Sequence, residues 1–327
     1  MLGQRIKELR QRNGVSLEEI ARNTDLLVET LSRIECGEIE RLDGCLLVKI
    51  ADSLRLKSAY DFTALMQLNK NPRRFHAYAL GLPKTGSVSL AGIFANYRSS
   101  HEFDQWNTHQ TIIKYKKGEI SREQFREYLK KRDLAAGLLE MDSAHFNRHY
   151  MDILAEEFPS AKFICLIRDC YSWVNSCINY FTMPEREALQ SQELRNGMPF
   201  DLPRGSNSQK DELVKNFHKY IDSPLSHWTE AYHDIIEKLP SGRSIIIKTN
   251  ELSNKIPDLA RFVGVPEDSL IKERSHLNRA EYQVKILQGL DYEFLEAKFN
   301  EHCKDLMDEF FPGYSLKDYL GVDMVTI

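Results

Sequence analysis

The residues from Gly81 to Ser89, GLPKTGSVS, combine two glycines, one lysine and three hydroxyl side chains with no acid among them. Ahead of them, His76 to Leu82 mixes apolar and small residues without a charge, as a buried strand does. From Ser87 onward, Leu90, Ile93 and Phe94 recur on one face of a helix. A strand-to-helix turn of this composition leaves backbone N–H groups pointing into a concave space, which is a place to hold phosphate. Gly81 and Gly86 have the glycine spacing of the nucleoside-triphosphate loop G-x-x-x-x-G-K-[ST]. Here, however, the lysine precedes the second glycine, and Ser87 and Val88 follow it. The residues alone therefore leave two readings open: a phosphate site of another kind, or a glycine turn that only joins a strand to a helix.

The order Pro83-Lys84-Thr85-Gly86-Ser87 resembles the 5′-phosphosulfate loop, PK[ST]G[ST], of sulfotransferases that use 3′-phosphoadenosine 5′-phosphosulfate (PAPS) and release 3′-phosphoadenosine 5′-phosphate (PAP). The resemblance implies that Lys84, Thr85, Gly86, Ser87, Val88 and Ser89 hold the 5′-phosphate, with Lys84 on the bridging oxygen of the leaving group. It also implies a second site, where an arginine and a serine eight residues later hold the 3′-phosphate. Arg168 and Ser176 in FPSAKFICLIRDCYSWVNSCINYF have that separation, and two turns of helix return Ser176 toward the strand end. The other reading pairs Arg168 with Asp169 or a surface acid.

Lys248-Thr249-Asn250-Glu251-Leu252 resembles the family segment YEDL, with Thr249 in place of the tyrosine near adenine. Arg274-Ser275-His276-Leu277-Asn278-Arg279 could close over the 3′-phosphate, so Arg274, Asn278 and Arg279 join the donor-binding set, although the family's RKG is missing. The tryptophan that often follows the loop is also missing, with Ser89 in its place.

Sulfuryl transfer is loose and in line, so positioning and charge stabilisation do most of the work, and no metal is expected. The acceptor, a hydroxyl or amine, must lose a proton to a base within hydrogen-bond reach. Family positions put Glu102 first for that role, then Asp142 and His145, then His101. Within an extended strand, His101 and Glu102 should face opposite sides. His145 and His149 stand at i, i+4, which reads as an exposed helical pair rather than a metal site. Two alternatives to PAPS-dependent transfer remain: a transcriptional regulator whose second domain senses a nucleotide, and a nucleotide-dependent kinase, which would need a lysine after Gly86.

The elements that must position these groups read as an α/β domain over residues 75–327, a parallel sheet flanked by helices, after a small all-α unit at residues 1–68. Strands are expected at 76–82, 101–104, 137–141, 162–167 and 244–248, alternating with helices at 87–97, 106–117, 121–131, 145–157, 211–239 and a final one at 291–311. Residues 182–209, rich in proline and glycine and too long for a plain connection, read as a lid or substrate loop. Gln67 to Arg74 reads as the linker between domains.

Helices are expected in the first unit at 2–12, 16–23, 27–35, 42–54 and 58–66. The pattern Ile6-x-x-Leu9-Arg10, Ser16-Leu17-Glu18-Glu19-Ile20-Ala21 and Leu31-Ser32-Arg33-Ile34-Glu35-x-Gly37 resembles the helix-turn-helix domain of Cro- and repressor-like regulators, which implies DNA as a partner. The reading face argues otherwise. Its helix starts with Leu27, Val28 and Glu29, and residues 1–70 carry 11 Lys+Arg against 11 Asp+Glu, whereas phosphate neutralisation needs a basic face. Leu26, Leu27 and Val28 suit a protein contact, against the catalytic domain or a second copy in a homodimer.

The net charge of −4 over 327 residues gives no bias toward nucleic acid or anionic membrane. Six cysteines without a CxxC pair read as reduced thiols. With no bilayer-spanning apolar run and no secretory leader, the expected compartment is the cytoplasm.

Overall fold

A computed structural model describes residues 1–56, 58–181, 216–277 and 286–321. The expected lid at 182–209, together with Asn278 and Arg279, lies outside the described residues. Five strands form one sheet in the order β2-β3-β1-β4-β5, every neighbouring pair parallel. They are β1 Ala77–Gly81, β2 Ser99–His101, β3 Met141–Ser143, β4 Lys162–Ile167 and β5 Ser244–Lys248.

Parallel sheets are covered on both faces, and the strands show it by alternation. Tyr78 and Leu80 with Phe163, Cys165 and Ile167 face one core, shared with Trp173, Trp228 and Tyr232. Ala77, Ala79, Ile164 and Leu166 face the other, with Leu90, Ile93 and Phe94. The first core takes its helices from α7 Gln105–Lys116, α8 Arg122–Ala135, α9 Met151–Glu157, α10 Cys170–Phe181, α11 Asp222–Lys238, α13 Tyr292–Phe310 and α14 Leu316–Leu320. The second is covered by α6 Ser87–Ile93 and α12 Ile256–Val263.

Three expectations need correction. The third strand starts at Met141 rather than at Gly137, because Gly137 and Leu138 both have left-handed backbone (φ 73° and 58°) and close α8 before the chain extends. The segment after it opens as a 3-10 helix, His145–Tyr150, before α9. The expected final helix is followed by α14, with Leu316 and Leu320 buried in the same core.

The first unit comprises α1 Leu2–Arg12, α2 Leu17–Thr24, α3 Val28–Glu35, α4 Gly44–Ser53 and α5 Ala59–Lys70. Ser16, Asp43 and Ser58 cap α2, α4 and α5 by accepting backbone N–H groups. Leu2, Ile6, Leu9, Ile20, Leu31, Leu47 and Leu65 build its core, into which Leu138 from the α/β domain also inserts. α5 runs into the first half of the expected linker, to Lys70, because Leu68 is buried in that core.

The junction between the units is ionic and dry. Arg5, 6% exposed, donates to Asp61 and Glu157 at 2.8 Å each, and Glu157 is 2% exposed. Arg12 adds a second guanidinium to Glu157 at 2.9 Å, Glu8 accepts the Ser160 N–H, and Tyr60 donates to Asp133. The contact face is therefore α1 with α5. The start of α3 does not touch the α/β domain: Leu27 is 73% exposed, which overturns the catalytic-domain half of that expectation.

Candidate active site

The loop after β1 is held from behind. Four successive carbonyls accept from side chains: Leu82 O from Thr85 Oγ1 at 2.7 Å, Pro83 O from Trp173 Nε1 at 2.8 Å, Lys84 O from Arg168 Nη1 at 3.0 Å, and Thr85 O from Thr249 Oγ1 at 2.8 Å. Lys84 (φ 68°) and Gly86 (φ 100°) both take left-handed backbone, the kind of alternation that turns successive N–H groups to one side. Among the described residues, the N–H groups of Thr85 to Ser89 make no hydrogen bond. Gly81 permits the turn, since a Cβ there would lie 2.7 Å from Leu166 O. The Lys84 ammonium lies 4.1 Å from the centroid of the Tyr180 ring.

Several hydroxyls expected at a phosphate also make hydrogen bonds within the scaffold. Thr85 Oγ1 bonds Leu82 O, Ser87 Oγ pairs with His101 Nε2 at 3.0 Å, and Ser89 Oγ accepts the Leu277 N–H at 3.0 Å. Thr249 Oγ1 sits between Thr85 O and Ile167 O, bracing the loop at the end of β5. Val88 is partly exposed on the first turn of α6.

Arg168 leaves β4 and reaches under the loop. Its Nε donates to Ser172 Oγ, four residues on, at 2.9 Å. Ser176 lies one turn further along α10, buried, and makes no hydrogen bond to Arg168. Asp169 does not pair with Arg168. It caps α10 by accepting the Ser172 N–H at 2.8 Å. Arg168 has no ion pair among the described residues, and its Nη2 is uncommitted. The 3-10 helix carrying Arg274, Lys272–His276, packs on α6 where Gly92 admits it: a Cβ at Gly92 would lie 2.6 Å from Leu277 Cδ1 and 3.1 Å from Arg274 Cβ.

The candidate bases meet at the ends of β2 and β3. His101 and Glu102 do not face opposite sides. The strand ends at His101, and Glu102 has φ 53°, so extended alternation no longer applies. Both turn to one cluster. Glu102 Oε1 accepts from His145 Nδ1 at 2.6 Å and lies 3.5 Å from His101 Nε2. Burial would lift the Glu102 carboxyl, but the His145 hydrogen bond and the charges of His145, His101 and His109 outweigh it and hold it below its ordinary value. The ring of His109 of α7 lies tilted against that of His145, centroids 5.6 Å apart, its own basicity pulled down to about 4, chiefly by burial.

Asp142 is separate in kind. Buried in β3, it is ion-paired with Arg132 of α8, which also donates to Phe103 O at 2.8 Å. Asp142 thus fixes the turn that carries Glu102, and its carboxylate is committed. His149 is also not the expected partner of His145, because in a 3-10 helix the aligned residue is three positions on. It meets Lys116 Nζ at 3.2 Å instead.

Sequence reading missed Ser172, Trp173, His109 and Arg132. Ser172 and Trp173 stand in the helix already singled out. His109 and Arg132 lie in helices whose charged patterns resemble any solvated face. Among the described residues, the one grouping with metal-ligand spacing is Asp222, Glu301 and His302, and Lys298 occupies it, 2.7 Å from Asp222 and 3.1 Å from Glu301.

Unbonded loop N–H groups at the end of a central parallel strand, with a carboxylate and imidazoles beside them, lie outside the carboxyl ends of the strands of an open α/β sheet, where such folds place their ligands. The chain matches the sulfotransferase domain family over residues 78–241 and belongs to it. Sulfotransferase STF9 from Mycobacterium avium is similar at 12% identity, with 94% of this chain and 96% of that one covered and a TM-score of 0.39. The sulfotransferase domain of the Synechococcus PCC 7002 olefin synthase is similar at 14% identity over 67% of this chain and 82% of that one, TM-score 0.33. Comparison with curated proteins gave no match. No helix among the described residues is long and apolar enough to cross a membrane.

Proposed function

We propose that this protein transfers a sulfuryl group from PAPS to a hydroxyl or amine acceptor. The observation that carries the reading is the run of contacts Ser87–His101–Glu102–His145, hydrogen-bonded at its two ends and bridged by 3.5 Å between His101 Nε2 and the Glu102 carboxylate, which links the phosphate cradle to a general-base cluster. The donor fits this chain: the unbonded N–H groups of the loop and the Lys84 ammonium suit a 5′-phosphosulfate, and the uncommitted Nη2 of Arg168 suits the 3′-phosphate. PAPS supplies an activated sulfuryl group on a phosphate leaving group.

The rest is done by the protein. Lys84 and the loop N–H groups neutralise the leaving phosphate as charge develops on it. Glu102, ionised, accepts the His145 Nδ1–H and so makes Nε2 the basic nitrogen. His145 Nε2 takes the acceptor's proton, while Glu102 orients the ring and stabilises the imidazolium. Asp142, through Arg132 and Phe103, keeps Glu102 in its turn.

PAP and ATP separate donor classes in a thermal-shift titration. PAP is expected to raise the melting temperature at low micromolar concentrations, because two separated phosphate sites add their charge-assisted bonds. Equal shifts with ATP would remove Arg168 from the donor site and return the kinase reading.

A further inference from the structure

Arg148 carries a charge that its surroundings do not answer. It stands three residues after His145 in the 3-10 helix His145–Tyr150, and three residues per turn put both side chains on one face, about 6 Å apart along the axis. The guanidinium is half-buried. Its one hydrogen bond among the described residues is a long one, Nη1 to Gly81 O at 3.4 Å, at the start of the phosphate loop.

Lys116, near the end of α7, points to the same place, with Nζ 3.2 Å from His149 Nδ1. Neither cation forms an ion pair among the described residues. The neighbouring carboxylates are engaged elsewhere: Glu102 with His145, Asp234 with Lys238. Burial pulls Arg148 down to about 10, and Lys116 is lowered by burial and then by Arg148 itself. Asp234 is the acid whose charge reaches both, and it is already paired with Lys238. Two cations brought together with only that shared acid cost stability, so a fold that keeps them beside its base cluster has a use for an anion there.

We propose that Arg148 and Lys116 bind an anionic group of the acceptor, a carboxylate, phosphate or sulfate ester, so that its hydroxyl or amine lies beside His145. This assignment of acceptor class rests on the sulfotransferase reading. A guanidinium fork matches the planar or tetrahedral oxyanion in two bonds, while the ammonium adds a point charge. The acceptor is then a hydroxy acid, amino acid or phosphorylated alcohol rather than a neutral phenol or sterol. The anion holds one end while the base addresses the other, about one helical turn away.

The test uses the full chain and inorganic sulfate, with ionic strength matched by chloride, titrated by calorimetry with and without saturating PAP. The PAP-loaded wild type is expected to bind sulfate, and Arg148→Ala and Lys116→Ala each to weaken that binding tenfold or more with PAP affinity unchanged. Lys116 is exposed, so its variant keeps the test sound if Arg148→Ala fails to fold. Sulfate affinity unchanged from wild type in both variants overturns the proposal, as does no sulfate binding to the loaded wild type. A matching loss of PAP affinity in Arg148→Ala also overturns it, since Arg148 would then belong to the donor. If PAP does not bind at all, the sulfotransferase reading fails by itself. The PAP-free titration then decides the pocket, with sulfate binding that depends on Arg148 supporting it and independence of Arg148 sinking it.

Discussion

Glu102 and His145 share one proton-handling task, so their removal is expected to be non-additive. Glu102→Gln and His145→Ala should each lower kcat by about 10²-fold or more, while PAP affinity stays within a factor of two. The double variant should be no slower than the worse single one. Normal turnover in Glu102→Gln together with loss in Asp142→Asn would move the role to the third strand. Arg168 is read by binding rather than rate. Removing its guanidinium should cost on the order of 2–3 kcal/mol of PAP affinity by calorimetry. Ser176→Ala should change that affinity far less than Ser172→Ala, because Ser172 is the serine that orients the guanidinium.

At the scale of elements, the site depends on how closely α6 meets the segment that follows α12. Gly92 and Ser89 are two of the contact points, beside the Ile271 N–H on Ile93 O: the glycine leaves room for Arg274 and Leu277, and the serine accepts the Leu277 N–H. Gly92→Val puts a branched side chain where even a Cβ collides, and overpacking of this kind costs about 1–3 kcal/mol. The expected result is a lower urea midpoint with faster amide exchange confined to residues 271–277. Unchanged exchange there would mean that the segment is held by other contacts.

For the molecule as a whole, the buried ions between the helical unit and the α/β domain determine whether the two unfold together. Burial alone would raise the Glu157 carboxyl, but Arg5 and Arg12 outweigh it and hold it below the ordinary 4.5. A depressed carboxyl stabilises the fold above that ordinary value and loses its contribution as pH falls through the folded value. Wild-type stability should therefore drop as the pH is taken from 5 downward in a urea series, and Glu157→Gln should flatten that drop. The same variant leaves the buried Arg5 with Asp61 as its remaining close carboxylate and should cost roughly 1–3 kcal/mol at neutral pH. Calorimetry should show one transition for the wild type. Two separated transitions would mean that the units fold independently despite the shared Leu138 and the ion network.

The sequence by itself determined what local chemistry dictates. Apolar runs at 162–167 and 244–248, each with a lysine at one end, appear as strands with those bounds, because apolar side chains in unbroken succession suit a parallel sheet. Capping serines mark helix starts in the first unit, and Pro83 to Ser87 marks the cradle. Tertiary structure decided which side chains meet. The Glu102–His145 pair forms across two strands, set by a positive φ at Glu102 that no alternation rule foresees. Arg168 meets Ser172 because its guanidinium folds back under the loop, a contact that spacing along the chain does not show. Asp142 was drawn away from the base cluster by Arg132, a residue indistinguishable in sequence from a solvated helical arginine. Spacing along the chain constrains direction within one helix or strand, whereas a contact between elements depends on how the strands are ordered in the sheet, which appears only when the chain is folded.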